Sequence, residues 1–182
     1  MENGAASRWW LRASLESLDA ALEGKLQFYR GPAQAVLPQL ARQLDASHVF
    51  WNRCYEPWRI DRDRRIMREL RDDGRSVSSK NGSLLFEPQS VTKPDGSPYR
   101  VFTPYFPKGC LNAANTPRDT LPVPQALRLA DSDQGGTLDE LALLPAIRWS
   151  DDMAAVWSPG EAGSRQRLAG FLDHGLQNYK AG

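Results

Sequence analysis

His48, His174, Cys54 and Cys110 are the side chains best suited to nucleophilic, proton-transfer or soft-metal chemistry, and their spacing supports none of these. His48 sits in the apolar run His48-Val49-Phe50-Trp51 and His174 in a helical pattern. Neither has a Ser or Cys partner at a spacing that would build a triad, so both read as structural. The cysteines are isolated, with no CxxC and no Cys/His metal spacing. Gly31-Pro32 follows an extended run as a nucleotide loop would, but the GxGxxG and GxxxxGK[ST] fingerprints are missing. A plain strand-to-helix turn is the reading there. Arg59, Arg62, Arg64, Arg65, Arg68 and Arg71 crowd one stretch, which raises the question of phosphate binding. Asp61, Asp63, Glu69 and Asp72 are interspersed, so a solvated, ion-paired helix face is expected instead. Taken as residue types and spacings, the sequence assigns no catalytic residue and no metal ligand.

The elements that would position these residues alternate. Ser7 is read as the N-cap of a first helix with Leu11, Leu15, Leu18 and Leu22 on one face and Gly24 as its stop. Leu26 and Phe28 alternate with polar residues, which predicts a strand over 26–29. A second helix opens at Gly31-Pro32, with Val36, Leu37, Leu40 and Leu44 inward. A short buried strand follows at 48–51, then a helix over Pro57–Asp72 with Ile60, Met67 and Leu70 on one side and Gly74 at its end. Ser76–Lys80 reads as a further strand. Pro94-Asp95-Gly96 is a turn in which Pro fixes φ and Gly accepts positive φ, joining extended pieces around Phe86 and Val101. Pro107 and Gly109 oppose a helix after Phe106. From about Asn112 to Gly136 no period survives, as in a linker. A last helix begins near Pro159 or Gly160, with Leu168, Phe171, Leu172, Leu176 and Tyr179 in one stripe. Alternating helix and strand predicts an α/β layer with parallel strands.

Composition narrows the class without naming an activity. A hydrophobic fraction of 41% and a charged fraction of 25% fit a globular protein. The net charge of +1 excludes a global basic field for nucleic acid, while local patches stay open. No apolar run reaches the roughly 20 residues that cross a bilayer. The N-terminal residues do not read as a secretory signal, and two unpaired cysteines suit a reducing cytoplasm.

One stretch, Asn81 to Lys108, is more specific than the rest. Asn81, Gly82, Leu84, Leu85 and Pro88 precede a turn, and Tyr99-Arg100-Val101-Phe102-Thr103-Pro104-Tyr105 follows it. This order resembles the DNA photolyase/cryptochrome family. Other pieces resemble the same family in the same order: Ser7-Arg8-Trp9-Trp10-Leu11, then Trp51-Asn52-Arg53 with Tyr55-Glu56-Pro57, then Trp157 with Pro159-Gly160-Glu161 and Gly163. The resemblance implies a Rossmann-like parallel sheet with flanking helices over 1–111, the family's α/β antenna domain without its first two strands. An interdomain linker over 112–158 follows, and then the first helix of the all-α flavin-binding domain over 159–182.

The implied activity is that of a deoxyribodipyrimidine photo-lyase. An FAD cofactor, excited directly or through an antenna pigment, would split pyrimidine dimers flipped out of damaged DNA. Most of the flavin domain is expected to lie beyond this chain, so the chain alone is expected to be inactive. Tyr179 occupies the place of a tyrosine that touches the flavin in the family, and it is the one cofactor-binding residue expected. In folate-using members a polar and an acidic residue follow Tyr-Glu-x. Here Trp58 and Arg59 stand there, and a guanidinium cannot accept pterin hydrogen bonds. A deazaflavin, another flavin or no pigment therefore stays open. Trp58 is otherwise read as a packing residue at a helix start. The alternatives to a photolyase are a cryptochrome-type blue-light receptor and a non-catalytic antenna or degenerate module. Missing strands would leave sheet edges unpaired and an apolar helix face uncovered.

Overall fold

The computed structural model describes residues 4–112, 117, 119–131, 134–144, 147 and 149–179. The chain divides into two compact units, one of Gly31–Gln125 and one that joins Met1–Arg30 to Ala126–Gly182. The first helix, α1 (Ala5–Ala21), belongs to the second of these.

The unit of Gly31–Gln125 contains the sheet. Helix α2 (Ala33–Gln43) starts behind Pro32, and α3 (Pro57–Asp72) starts behind Glu56 with proline in its first turn. Strands β1 (His48–Asn52) and β2 (Ser76–Lys80) pair in parallel, with His48 opposite Ser76 and Asn52 opposite Lys80. This is the predicted α/β arrangement, a parallel sheet with flanking helices. Parallel pairing is allowed because α3 supplies the long crossover between the strands. Gly74 ends that crossover at φ +77°. A one-turn helix, α4 (Phe102–Pro104), comes late in the unit.

The core forms on one face of the sheet. Ala41 of α2 meets Ile66 and Leu70 of α3, and Leu37, Val49, Trp51 and Val77 close around them. The inward face of α3 is therefore Asp63, Ile66 and Leu70, a rotation from the Ile60–Met67–Leu70 line that spacing suggests. In α2, Pro38 and Ala41 are buried while Leu44 is exposed. β1 alternates rather than being buried throughout. Val49 and Trp51 face the core, whereas Phe50 is 64% exposed and stacks on the His48 ring. Among the described residues β2 is the one strand that pairs with β1.

In the other unit, α1 is capped by Gly4, not Ser7, because Ala5 and Ala6 favour helix and extend it by most of a turn. Trp9 is its buried anchor, while Leu11 and Leu18 are largely exposed. Residues 26–29 form no strand. A single antiparallel bridge joins Phe28 to Gly136, with Gly136 N–H donating to the Phe28 carbonyl and Gly135 N–H to Gln27 Oε1. No described strand lies beside this run to extend the ladder, so alternation alone does not make it a strand.

Between Asn112 and Gly136 the described residues hold no helix or strand. Residues 113–116, 118, 132 and 133 of that stretch lie outside the described set. A one-turn 3₁₀ helix (Asp139–Leu141) and α5 (Asp151–Val156) precede α6 (Glu161–Gly170). α6 continues as a wider π turn over Phe171–Gly175 and a 3₁₀ turn over Leu176–Asn178. Gly160 at its N-terminus takes φ +94°, and a Cβ there would lie 2.6 Å from Ser17 Oγ. Both conditions call for glycine. The stripe Leu168, Phe171, Leu172 and Leu176 is exposed along its length. No described helix is long and apolar enough to cross a membrane.

Candidate functional site

The segment that carries the resemblance is a scaffold, and its geometry explains its residue types. Asn81 leaves β2 and folds the chain on itself. Its Oδ1 accepts from Leu84 N–H at 2.9 Å and from Ser83 N–H at 3.2 Å, and its Nδ2 donates to the Leu84 carbonyl at 2.6 Å. Gly82 is pressed on Asn52 so closely that a Cβ would fall 2.5 Å from the carboxamide carbon. Arg53, just past β1, holds the fold-back in place. Its Nη1 donates to both Glu87 carboxylate oxygens at 3.0 Å, its Nη2 to the Ser79 carbonyl at 3.0 Å, and its Nε to Ser79 Oγ at 3.3 Å. One side chain thus ties β1, β2 and the next loop together. Its place within Trp51-Asn52-Arg53 is visible in the sequence, but its partner 34 residues on is not.

Beyond Glu87 the chain builds a second small core. Val91 is buried, and Gly109 sits so tightly against it that a Cβ would lie 2.6 Å from Val91 Cγ1. Tyr99 meets Tyr105 edge to face at 6.0 Å. The Pro94-Asp95-Gly96 turn is present, with Gly96 at φ +78°. Its flanks are irregular apart from one bridge, Thr92 to Pro98, so the extended pieces around Phe86 and Val101 are not strands. Asp95 accepts from Ser97 Oγ at 2.7 Å and from Ser97 N–H at 2.9 Å. These bonds hold its carboxyl below the usual carboxylate range, the hydroxyl contributing most.

A helix does form where Pro107 and Gly109 oppose one. α4 runs into a π turn over Tyr105–Cys110, closed by Leu111 N–H on the Phe106 carbonyl five residues back. The wider turn reconciles Pro107, which has no N–H to give, with a helical path. Cys110 is buried there, and its hydrogen bond with Tyr105 raises the phenol above its ordinary value, with burial adding to the shift.

A second region gathers polar and aromatic chemistry. The start of α2 (Pro32, Ala33, Gln34) and the first turns of α3 (Trp58, Asp61, Arg62, Arg65) line an open groove of about 540 Å³. Trp58 is 62% exposed, so it does not pack the helix start. The Arg59 and Arg62 guanidinium groups lie 5.0 and 5.7 Å from its ring centroid instead. Such cation–π contacts need an exposed ring face, which an inward Trp would not offer. Arg59 also reaches Glu56 at 3.5 Å and Cys54 Sγ at 3.7 Å. Arg62 binds Asp63, which raises the guanidinium above its ordinary value. Asp63 is buried and accepts from the Trp51 indole at 3.3 Å. At the position where folate binding calls for an acceptor carboxylate, the structure places a donor-only guanidinium already engaged on three sides. These residues do not fit a folate held in that way.

Tyr179 follows the last 3₁₀ turn. It is 72% exposed and meets Phe171 edge-on at 5.8 Å. Residues 168–179 contain no Arg or Lys to hold a phosphate. As described, they do not by themselves fit a flavin dinucleotide. His174 is exposed on the same helix, and His48 Nδ1 lies 2.9 Å from Ser47 Oγ. Among the described residues no group of three or more His, Cys, Asp or Glu side chains could hold a metal ion.

Known proteins share this geometry. The family model for DNA photolyase matches residues 1–125. A deoxyribodipyrimidine photo-lyase of Agrobacterium fabrum is 35% identical over 184 residues, which cover 98% of this chain and 38% of the relative. Cryptochrome-1 of Arabidopsis thaliana is 29% identical over 97% of this chain and 26% of its own length. The crystal structure of a bacterial class III photolyase from Agrobacterium tumefaciens superposes with a TM-score of 0.79. It is 33% identical, and the match covers 98% of this chain and 38% of that one. The chain thus spans well under half the length of these two relatives. A profile match over most of the chain and a shared fold across nearly all of it lead to one conclusion: this protein belongs to the DNA photolyase/cryptochrome family.

Proposed function

We propose that this chain serves a light-driven, flavin-dependent photolyase that repairs pyrimidine dimers in DNA. Residues 1–111 would be its antenna-type α/β part, 112–158 its interdomain linker and 159–182 the opening of its flavin-binding part. The carrying observation is the 35% identity to a photo-lyase across 98% of the chain, including the Arg53-clamped segment after Asn81. In this reading FAD supplies the redox chemistry, and Tyr179 is the one residue of this chain that touches it. The bare stripe from Leu168 to Leu176 is the surface that the rest of the flavin-binding part would cover. The reading places the protein in the cytoplasm and predicts no repair by the 182 residues alone.

The groove beside Trp58 is the proposed seat of an antenna pigment. At about 540 Å³ it lies within the roughly 300–1,000 Å³ of small-molecule pockets. A flavin or deazaflavin suits its aromatic and cationic lining better than the folate arrangement. A visible absorption band that appears when the purified chain is incubated with such a pigment, and disappears in Trp58→Ala, would support the assignment.

The function is tested by replacing the corresponding region of the Agrobacterium photo-lyase with this chain. The chimera is expected to remove dimers from a damaged oligonucleotide under blue light and not in darkness. A folded, flavin-loaded chimera without repair would overturn the photolyase reading. The match to cryptochrome-1 supports a second reading, a blue-light receptor. That reading predicts flavin photoreduction in the same chimera with no loss of dimers.

A further inference from the structure

Helix α3 carries six arginines against four acidic residues, and the ion pairs that neutralise it are unevenly placed. Asp63 is buried and taken by Arg62 and the Trp51 indole. Glu69 faces Arg42 of α2 at 3.4 Å. Arg59 turns back to Glu56. Arg64, Arg65, Arg68 and Arg71 remain exposed, with Asp61 and Asp72 as the carboxylates beside them. Asp61 lies 3.3 Å from Arg64, and among the described residues no ion pair reaches Arg65, Arg68 or Arg71. Arg64, Arg68 and Arg71 follow the i, i+4, i+7 spacing that places side chains on one helix face. They flank a shallow groove of about 310 Å³ with Met67 and Asp72. The net charge of the whole chain is +1, so this excess of positive charge is local.

We propose that the Arg64–Arg68–Arg71 face of α3 is an auxiliary contact for the phosphodiester backbone of duplex DNA, independent of any lesion. Guanidinium groups stay charged and bind phosphate oxygens in a fork. The three side chains cover about 10 Å of helix at 1.5 Å per residue, enough for two or three phosphates. This face has no aromatic side chain. The aromatic residue of α3, Trp58, sits in its first turn beneath Arg59 and Arg62. Single-strand binding relies on stacked bases, whereas duplex backbone binding needs only placed positive charge. Such a contact reads no bases. It needs neither light nor flavin, so it stands apart from the proposed repair function.

The test is fluorescence anisotropy of the 182-residue chain with an undamaged duplex of about 20 base pairs, in the dark, across about 50–200 mM salt. Binding is expected in the range of non-specific association, about 10⁻⁴–10⁻⁶ M at physiological salt. In Arg68→Glu/Arg71→Glu the affinity should fall at least tenfold at the low-salt end. The slope of log K against log salt should become shallower by about 1.8, at about 0.9 for each phosphate left without its arginine. Arg68→Gln/Arg71→Gln should lie between, and Arg165→Glu, a charge reversal on α6, should match the parent chain. Circular dichroism of each variant distinguishes weakened binding from unfolding. The proposal is overturned by absence of duplex binding at low salt, or by an unchanged slope in the folded double variants. Tighter binding to a single strand of equal length would also overturn it, as would an effect of the double variants confined to anionic lipid vesicles. A chimera that fails to repair dimers leaves every one of these readouts in place.

Discussion

The inward face of α3 and the outward stripe of the C-terminal helix are built from the same kind of residue at the same kind of spacing. Ile66 and Leu70 are almost wholly buried against Ala41, Val49 and Trp51, whereas Leu168, Phe171, Leu172 and Leu176 stand exposed. Periodicity announces that a helix has an apolar face; it does not say whether anything covers it. In the unit of Gly31–Gln125 the cover is supplied within a few dozen residues by α2 and the two strands. For the stripe after Gly160 no cover is present among the described residues.

Replacing one leucine in each region would test the contrast most strongly. Leu70→Ala should destabilise the chain by about 2–5 kcal/mol, the usual cost of a cavity at a fully buried site. Leu172→Ala should stay within about 0.5 kcal/mol. Urea unfolding measures both, and equal losses would erase the distinction. A charged pair of substitutions sharpens it: Leu172→Glu/Leu176→Glu should leave the urea midpoint unchanged and reduce self-association on gel filtration.

Next in size is the clamp. Arg53→Met removes the four hydrogen bonds that tie the Asn81 fold-back to the sheet. Because the pair is partly exposed, a loss of about 1–2 kcal/mol is expected. Faster amide exchange should be confined to residues after Asn81, leaving the Ile66–Leu70 core protected. Uniform acceleration would mean that the segment and the core unfold as one.

The smaller effects are read by pH. The Tyr105 phenol is held above its ordinary value by its bond to Cys110. Its contribution to stability is therefore complete below the unfolded tyrosine range near 10 and is lost as pH rises through the raised value. Tyr105→Phe should remove a phenol that titrates above the ordinary tyrosine range in an ultraviolet titration and flatten the alkaline fall in stability. Asp95 works in the opposite sense. Its pKa lies below the ordinary carboxylate value because Ser97 donates to it. Its contribution is present above that ordinary value and is lost as pH falls through the depressed one. Ser97→Ala should return the Asp95 carboxyl toward the ordinary range in an NMR titration and leave the core untouched.

Local signals made much of this fold legible. The boundaries of α3, with Pro57 in the first turn and Gly74 at its end, follow from backbone chemistry that depends on no distant residue. The same holds for β2 and for the turn at Pro94-Asp95-Gly96. Family resemblance was legible too, because the stretch from Asn81 to Tyr105 has an order that few chains share. It falls on residues whose work is structural, so it identified the family without marking a reactive site.

Other features depended on partners that no local pattern specifies. The run at 26–29 alternates as a strand should, yet it makes one bridge, since a strand exists only where a neighbour offers its N–H and C=O groups. Pro107 and Gly109 entered a helical turn because Val91 and Tyr99 pack against it and a π turn spares the missing N–H. The sequence by itself determined where α2, α3 and α6 start, which residues are apolar, and which family the chain belongs to; steric limits on φ and the loss of one N–H at proline act within a few residues. Tertiary structure alone decided which apolar faces are buried and which distant carboxylates Arg42 and Arg53 find. Those outcomes depend on contacts between residues tens of positions apart, and only the folded chain brings these together.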